Sequence, residues 1–187
     1  MAPTTFKGKG SMIKRQQIIE VVPYDPDWSN QFEKEALLLK LIFSDIFVAI
    51  HHIGSTSVPG LAAKPTIDII LEVKDIRLVD KFDEPMEKLG YEAWGEYGIS
   101  GRRFFVKGES KRTNHVHTFQ AGDREIARHL YFRDYLKSHP AEAKKYADLK
   151  IKLAQKLPHD RRGYVQNKQG YVEALEKKAI AWVRDLK

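Results

Sequence analysis

The sequence predicts an α/β (α+β) domain in which a mixed, largely antiparallel sheet is covered by helices and followed by a helical C-terminal part. Short β-branched and aromatic runs are concentrated before residue 121, whereas the chain after residue 125 is almost entirely helix-forming. The length of 187 residues, with 42% hydrophobic and 30% charged residues, suits one domain with a sizeable core.

The composition limits the chemistry that the chain can perform. There is no cysteine, so any metal must be held by carboxylate, histidine or backbone oxygen. The net charge of +7 favours an anionic partner. Because the sequence has no apolar run of about 18 residues and its polar N-terminus lacks the apolar centre of a secretion signal, we expect a soluble, cytoplasmic protein without membrane contact.

The first elements follow a polar leader. Residues 1–12 end in a Gly-Ser-Met junction typical of cloning, so we expect a tail over 1–12 and a single domain over 13–187. A β-branched run opens the segment 18–28, and Asp27 is placed to cap a helix that extends to about residue 43.

Strands and helices then alternate as far as the C-terminal part. The patterns predict strands over 47–53, 65–73, 91–99, 101–108 and 114–120, with a helix over 79–89 between the second and the third. Residues 125–156 predict helix with a break at Pro140, and a last helix runs from about Gly163 or Asn167 to Lys187.

One carboxylate interrupts the apolar run over 65–73. Side chains alternate along a strand, so Asp68, Ile70 and Glu72 share one face of the sheet. A carboxylate there is costly to bury unless it is paired, hydrogen-bonded or bound to a metal. The alternative is a structural acid at a half-exposed strand end, paired with a lysine or arginine.

Two histidines are spaced to share a ligand. His115 and His117 lie two apart on a predicted strand and therefore project from one face. If their strand lies beside that of Asp68, the three side chains surround one point and can hold a divalent cation that binds a phosphate. Taken alone, such a pair is more often a surface or hydrogen-bonded pair.

Four blocks of the sequence carry a family resemblance: VVPYDPDW, HHIGSTSVPGLAAKPTIDI, RTNHVHTF and LYFRDYLKSHPAEAKKYADLKIKLA. In this order they resemble the GrpB family, whose domain is also attached to some dephospho-coenzyme A kinases. That family in turn resembles nucleotidyltransferases of the polymerase-beta type, which implies a nucleotidyltransferase-like fold and a divalent metal, Mg²⁺ or Mn²⁺. Gly54 and Ser55 match the Gly-Ser turn of that superfamily, and Asp68 matches one acid of its metal-binding pair.

The resemblance departs from the superfamily pattern at the other acids. The second acid would fall at Thr66 or Ile70, and the third is replaced by His115 or His117. Two-metal transfer uses one metal to activate the attacking oxygen and one to stabilise the leaving group. A one-metal site, a histidine-assisted reaction and a binding-only protein therefore all stay open.

Basic residues supply candidate phosphate contacts. The resemblance assigns this role to Arg133, Lys150 and Lys168, which lie in blocks where the family has an arginine, a lysine and a late tyrosine-lysine. Lys64, just before the acidic strand, can also reach a phosphate. The alternative for each is a solvated face, where long basic side chains mostly lie.

These residues support two hypotheses about function. The first is a metal-dependent nucleotidyltransferase or phosphoryl-transfer enzyme that uses a nucleoside triphosphate, with Asp68 and Ser55 as its catalytic residues. The second is a non-catalytic nucleotide-binding or accessory module related to coenzyme A metabolism. Both predict a nucleotide or another phosphorylated small molecule as ligand. Nucleic acid is not expected, because the positive charge is scattered and no RNA-binding signature is present.

Overall fold

The computed structural model describes residues 18–109 and 111–186, so the tail expected over 1–12 lies outside the described residues. Within these residues, five strands form one sheet that packs with five α-helices. None of the helices described has the length and apolar run that crossing a membrane requires.

The elements have the following bounds. The helices are α1 (Asp27–Ile42), α2 (Asp83–Lys88), α3 (Arg124–Ser138), α4 (Pro140–Lys156) and α5 (Arg161–Asp185). The strands are β1 (Phe47–Ile53), β2 (Ile67–Val73), β3 (Tyr91–Ala93), β4 (Arg103–Lys107) and β5 (Asn114–Gln120). Short 3₁₀ helices cover Ser55–Ser57 and Ile76–Phe82.

The strand order in the sheet is β1-β2-β5-β4-β3. β2 and β5 are parallel, and the other three neighbouring pairs are antiparallel. The predicted mixed, largely antiparallel sheet is therefore confirmed, and the three predicted strands near 47–53, 66–73 and 113–119 all belong to it. The run before α1 makes one isolated bridge, between Val22 and Ala63.

The two faces of β2 enter different cores. Ile69 and Leu71 are fully buried with α1 in the main core, where a neighbouring carboxylate would be costly. Ile70, on the opposite face, packs against Ile126 of α3. Asp68 shares the face of Ile70, and this face is directed toward the helical C-terminal part.

Two helix starts differ from the predicted ones because of their hydrogen bonds. The Asp27 carboxylate accepts a hydrogen bond from the side chain of Asn30, and α1 already includes Asp27, so its prediction as the cap was wrong. At the other end of the chain, the Asp160 carboxylate accepts a hydrogen bond from the Gly163 N–H at 2.8 Å. This cap starts α5 at Arg161, earlier than predicted.

Two predicted elements are shorter than their sequence patterns. The strand predicted over 91–99 ends at residue 93, because Gly95 and Gly98 have φ values of +57° and +83° that an extended strand cannot adopt. The helix predicted over 79–89 is divided into the 3₁₀ helix over 76–82 and the single-turn α2.

Candidate functional site

The acid on β2 faces a histidine on β5. The parallel register places Asp68 directly beside His115, and His115 Nδ1 lies 2.9 Å from Asp68 Oδ1. His117 Nε2 lies 4.0 Å from the same oxygen. The structure thus brings together the three side chains that the sequence analysis placed around one point.

Burial and hydrogen bonding fix the protons in this cluster. Burial raises the pKa of Asp68, but the hydrogen bond from His115 and the positive charge of Lys168 together hold that pKa below its ordinary value. Asp68 is therefore ionised at neutral pH and accepts a hydrogen bond from His115 Nδ1. His117 is neutral because burial lowers its pKa to about 3. Its Nδ1 accepts a hydrogen bond from Arg102 at 3.1 Å, which leaves the proton on Nε2, toward Asp68.

The Gly-Ser turn lies against the acid. Gly54 has φ +70° and ψ −171°, a conformation that almost only glycine adopts. A Cβ atom at this position would lie 2.6 Å from Asp68 Oδ2. Glycine therefore allows both the turn and the close approach of Asp68, and the 3₁₀ helix that follows positions Ser55.

Lys150 of α4 reaches the same turn from the helical layer. Its Nζ donates hydrogen bonds to Ser55 Oγ at 2.7 Å and to the Ala62 carbonyl at 2.6 Å. Burial, reinforced by the charge of Lys168, lowers the pKa of Lys150 from 10.5 to about 7. A lysine that is only 3% exposed is unusual enough to need a reason, since lysine is almost never fully buried without a carboxylate partner.

A cavity of about 190 Å³ opens between the sheet and the helices at this point. Its lining includes Ser55, Thr56 and the Asp68–His115 pair. Four cationic side chains also line it: Lys64, Lys150, Arg161 and Lys168. Burial and the charges of Arg161 and Lys168 lower the pKa of Lys64, although the charge of Asp68 opposes this effect. Repulsion among these cations is relieved when an anion binds.

Two polar residues of this cavity, both on α5, were not predicted from the sequence. Arg161 and Tyr164 both line it, and Lys168 Nζ lies 5.5 Å from the centroid of the Tyr164 ring. Their positions seven and four residues before Lys168 place all three on one face of a helix. Helical periodicity counted back from Lys168 was the signal that could have found them.

Arg133 does not enter this cavity. Its guanidinium donates a hydrogen bond to the His52 carbonyl at 3.1 Å and forms an ion pair with Asp134 at 2.7 Å. It lines a different cavity, together with His52 and Lys137, on the side of the Gly54 turn where α3 meets β1. The structure thus separates Arg133 from the other predicted phosphate contacts.

The donors around Asp68 do not fit a divalent cation as they are arranged. Mg²⁺ prefers oxygen ligands, and within 18–109 and 111–186 no group of three histidine, aspartate or glutamate side chains is placed to hold a metal ion. The nitrogens of His115 and His117 that face Asp68 carry protons. Thr66 donates its hydroxyl proton to the Arg112 carbonyl, and Ile70 is buried in the core. Metal binding by Asp68, His115 and His117 stays a prediction.

Comparisons with known proteins point to one family. A family model described as GrpB protein matches residues 18–178. UPF0157 protein YqkA of Bacillus subtilis is 48% identical over 88% of this chain, although the chain spans only 48% of the length of YqkA. The crystal structure of GrpB from Enterococcus faecalis is 45% identical, has a TM-score of 0.85 and covers 88% of this chain and 99% of its own.

A more distant relative is longer than this chain. The dephospho-CoA kinase of Mycolicibacterium paratuberculosis is 24% identical over 88% of this chain, and the match spans 46% of that protein.

The architecture agrees with the nucleotidyltransferase-like arrangement that the resemblance implied: a Gly-Ser turn leads into a strand that carries an acid, and a neighbouring strand faces that acid.

Proposed function

The chain belongs to the GrpB family, and from this premise we propose that its cationic cavity binds the phosphate groups of a nucleotide or another phosphorylated small molecule. The observation that carries the proposal is the buried Lys150–Ser55 pair, surrounded by three further cations. Lys150 has three N–H donors and uses two on Ser55 and Ala62. The third is available to a phosphate oxygen, and the lysine becomes fully charged when the anion arrives.

We further propose that the chain transfers a nucleotidyl or phosphoryl group from a nucleoside triphosphate. Preorganised cations that face the leaving phosphates stabilise the charge that develops during such a transfer. Lys150 and Lys168 would serve this purpose, Ser55 would orient the phosphate chain, and Asp68 would act with its histidine partner. The cytoplasmic location expected from the sequence stays a prediction.

One observation favours a second candidate, a non-catalytic nucleotide-binding or accessory module. Ile70 is fully buried and Thr66 is hydrogen-bonded to backbone, so neither position can supply the second acid of a two-metal site. The likeness to a dephospho-CoA kinase suggests that the ligand of such a module would be an adenine-containing compound related to coenzyme A.

A thermal-shift panel tests both candidates. Wild type and Asp68→Ala are melted with each of the four common nucleoside triphosphates, pyrophosphate, dephospho-coenzyme A and coenzyme A, with and without Mg²⁺ or Mn²⁺. A ligand at about 100 times its Kd stabilises the folded state by about 2.7 kcal/mol. Lys150→Met should lose this stabilisation, whereas Lys152→Met, an exposed lysine on the same helix, should keep it.

The outcomes separate the candidates. Stabilisation with release of pyrophosphate or nucleoside diphosphate supports the enzyme, and stabilisation without turnover favours the binding module. If no phosphorylated compound stabilises wild type, the proposed function is wrong.

A further inference from the structure

The His115 ring has one nitrogen that the protein occupies and one that it leaves open. Nδ1 donates a hydrogen bond to Asp68 Oδ1 at 2.9 Å. Among the described residues Nε2 has no hydrogen-bond partner, and the side chain is 18% exposed where it lines the cationic cavity. In a neutral imidazole with its proton on Nδ1, Nε2 carries an unshared electron pair.

His117 differs although it lies two residues away on the same face. Its Nδ1 accepts a hydrogen bond from Arg102, and its protonated Nε2 faces Asp68. Neither nitrogen of His117 is both unprotonated and open. Of these two histidines, only His115 therefore has a ring nitrogen that is free to act as a nucleophile.

The surroundings of Nε2 decide what it can attack. The cavity that His115 lines also holds the four cations, so under the proposed function the phosphate donor would bind there. An adjoining cavity of about 400 Å³ shares Val165 and Lys168 with the first and is lined by Gly54 and His129, but not by His115. An acceptor molecule in that second cavity would be separated from Nε2, whereas the donor phosphates would not.

We propose that His115 Nε2 attacks the bound nucleoside triphosphate and carries the transferred phosphoryl or nucleotidyl group as a covalent histidine adduct. The inference rests on the proposed function, because it requires a nucleotide in the cationic cavity. This nucleophilic role is an alternative to the metal-ligand role that the sequence predicts for His115.

Each of the two steps forms one bond to phosphorus and breaks one. The Nε2 electron pair forms a P–N bond while the P–O bond to the leaving group breaks, and the leaving pyrophosphate or nucleoside diphosphate takes the bonding pair. The ring becomes cationic and keeps its Nδ1 proton, which Asp68 stabilises through the existing hydrogen bond. An acceptor hydroxyl then attacks phosphorus, the P–N electron pair returns to Nε2, and the hydroxyl proton passes to water.

Peptide mapping of wild type tests the proposal directly. The full chain is incubated with ATP, GTP, CTP or UTP, each labelled at the α- or the γ-phosphate, with a metal chelator and with Mg²⁺ in parallel, and is quenched in base. Trypsin releases residues 113–124, which include both histidines. We expect an acid-labile, base-stable adduct at His115, and the label position identifies the transferred group.

Variants separate the nucleophile from its neighbours. His115→Gln should abolish the adduct, while a thermal shift with nucleotide shows that this variant still folds and binds. His117→Gln should still form an adduct at His115. Asp68→Asn should reduce the rate of adduct formation by up to roughly 10⁴-fold, the loss that follows when the orienting aspartate of a catalytic triad is changed to asparagine.

Two contrary results would have different consequences. A wild-type chain that is stabilised by nucleotide but forms no adduct, or forms it elsewhere than His115, would overturn this inference and leave the proposed function intact. A chain that no nucleotide stabilises would overturn both.

Discussion

At the scale of single residues, Lys150 is held at a cost in stability. Its folded pKa of about 7 lies well below the ordinary 10.5. Between these pH values the unfolded chain binds a proton that the folded chain does not, so stability rises with pH across this window. The penalty is complete below pH 7 and disappears above pH 10.5.

We therefore expect the free energy of unfolding of wild type, relative to Lys150→Met, to increase from pH 7 to pH 10.5. At about 1.4 kcal/mol for each pH unit, the increase is on the order of 4 kcal/mol. Urea denaturation at several pH values measures it. Lys152→Met removes the same charge from an exposed position and should show little pH dependence of this kind. A flat difference for Lys150→Met would contradict the buried-amine account.

At the scale of elements, the Gly54 turn joins β1 to the site. Two features of Gly54 disfavour any side chain there. One is its backbone conformation, and the other is the distance of only 2.6 Å between Asp68 Oδ2 and the position that a Cβ atom would take. Gly60 offers a matched comparison, because it also has a positive φ, +78°, but nothing lies within 4 Å of the Cβ position.

Gly60→Ala should cost about 1 kcal/mol from backbone strain alone. Gly54→Ala should cost about 3 kcal/mol, because the same kind of strain is joined by the displacement of Asp68. Chemical denaturation measures both, and the nucleotide thermal shift should weaken in Gly54→Ala only. Equal costs for the two variants would show that the contact with Asp68 is unimportant.

Local patterns predicted the elements better than their ends. Side chains in β2 and β5 alternate with a period of two residues. The face that Asp68 shares with Ile70, and the face that His115 shares with His117, could therefore be predicted from sequence alone. The end of β3 was harder to predict. Trp94 and Tyr97, which follow Ala93, have high strand propensity, but Gly95 and Gly98 between and after them adopt turn conformations.

Long-range contacts explain what the sequence left open in the site. Ser55 and Lys150 are 95 residues apart, and no local period relates them. Arg133 and Lys150 had equivalent support from the resemblance, yet only Lys150 reaches the cavity. The helix face that meets a site depends on how α3 and α4 pack against the sheet, and basic residues on several faces do not determine that packing.

At the scale of the whole molecule, the cavity lies between two cores. One core joins the sheet to α1, and the other joins α3, α4 and α5 around Tyr146 and Leu175. The acid, the turn and Lys64 come from the sheet side, whereas Lys150, Arg161 and Lys168 come from the helices. An anion in the cavity therefore contacts both layers at once.

Hydrogen exchange with and without pyrophosphate measures this bridging. We expect slower exchange of backbone amides in two separate segments, residues 54–57 and the first turns of α5, because a bound anion reduces local opening on both sides. The change should vanish in Lys150→Met and persist in Lys152→Met. Protection confined to one layer would contradict a shared site.

The order of strands also determines when the site can form during synthesis. β3 and β4 lie in the chain between β2 and β5, so the hydrogen bond of Asp68 can form only after His115, 47 residues later, has been synthesised. Closing such distant contacts is entropically costly and slow. A nascent chain that has emerged only through β5 holds the acid and both histidines but lacks Lys150, Arg161 and Lys168. The chain on the ribosome thus acquires three of the four cations of the cavity last, once α4 and α5 have docked.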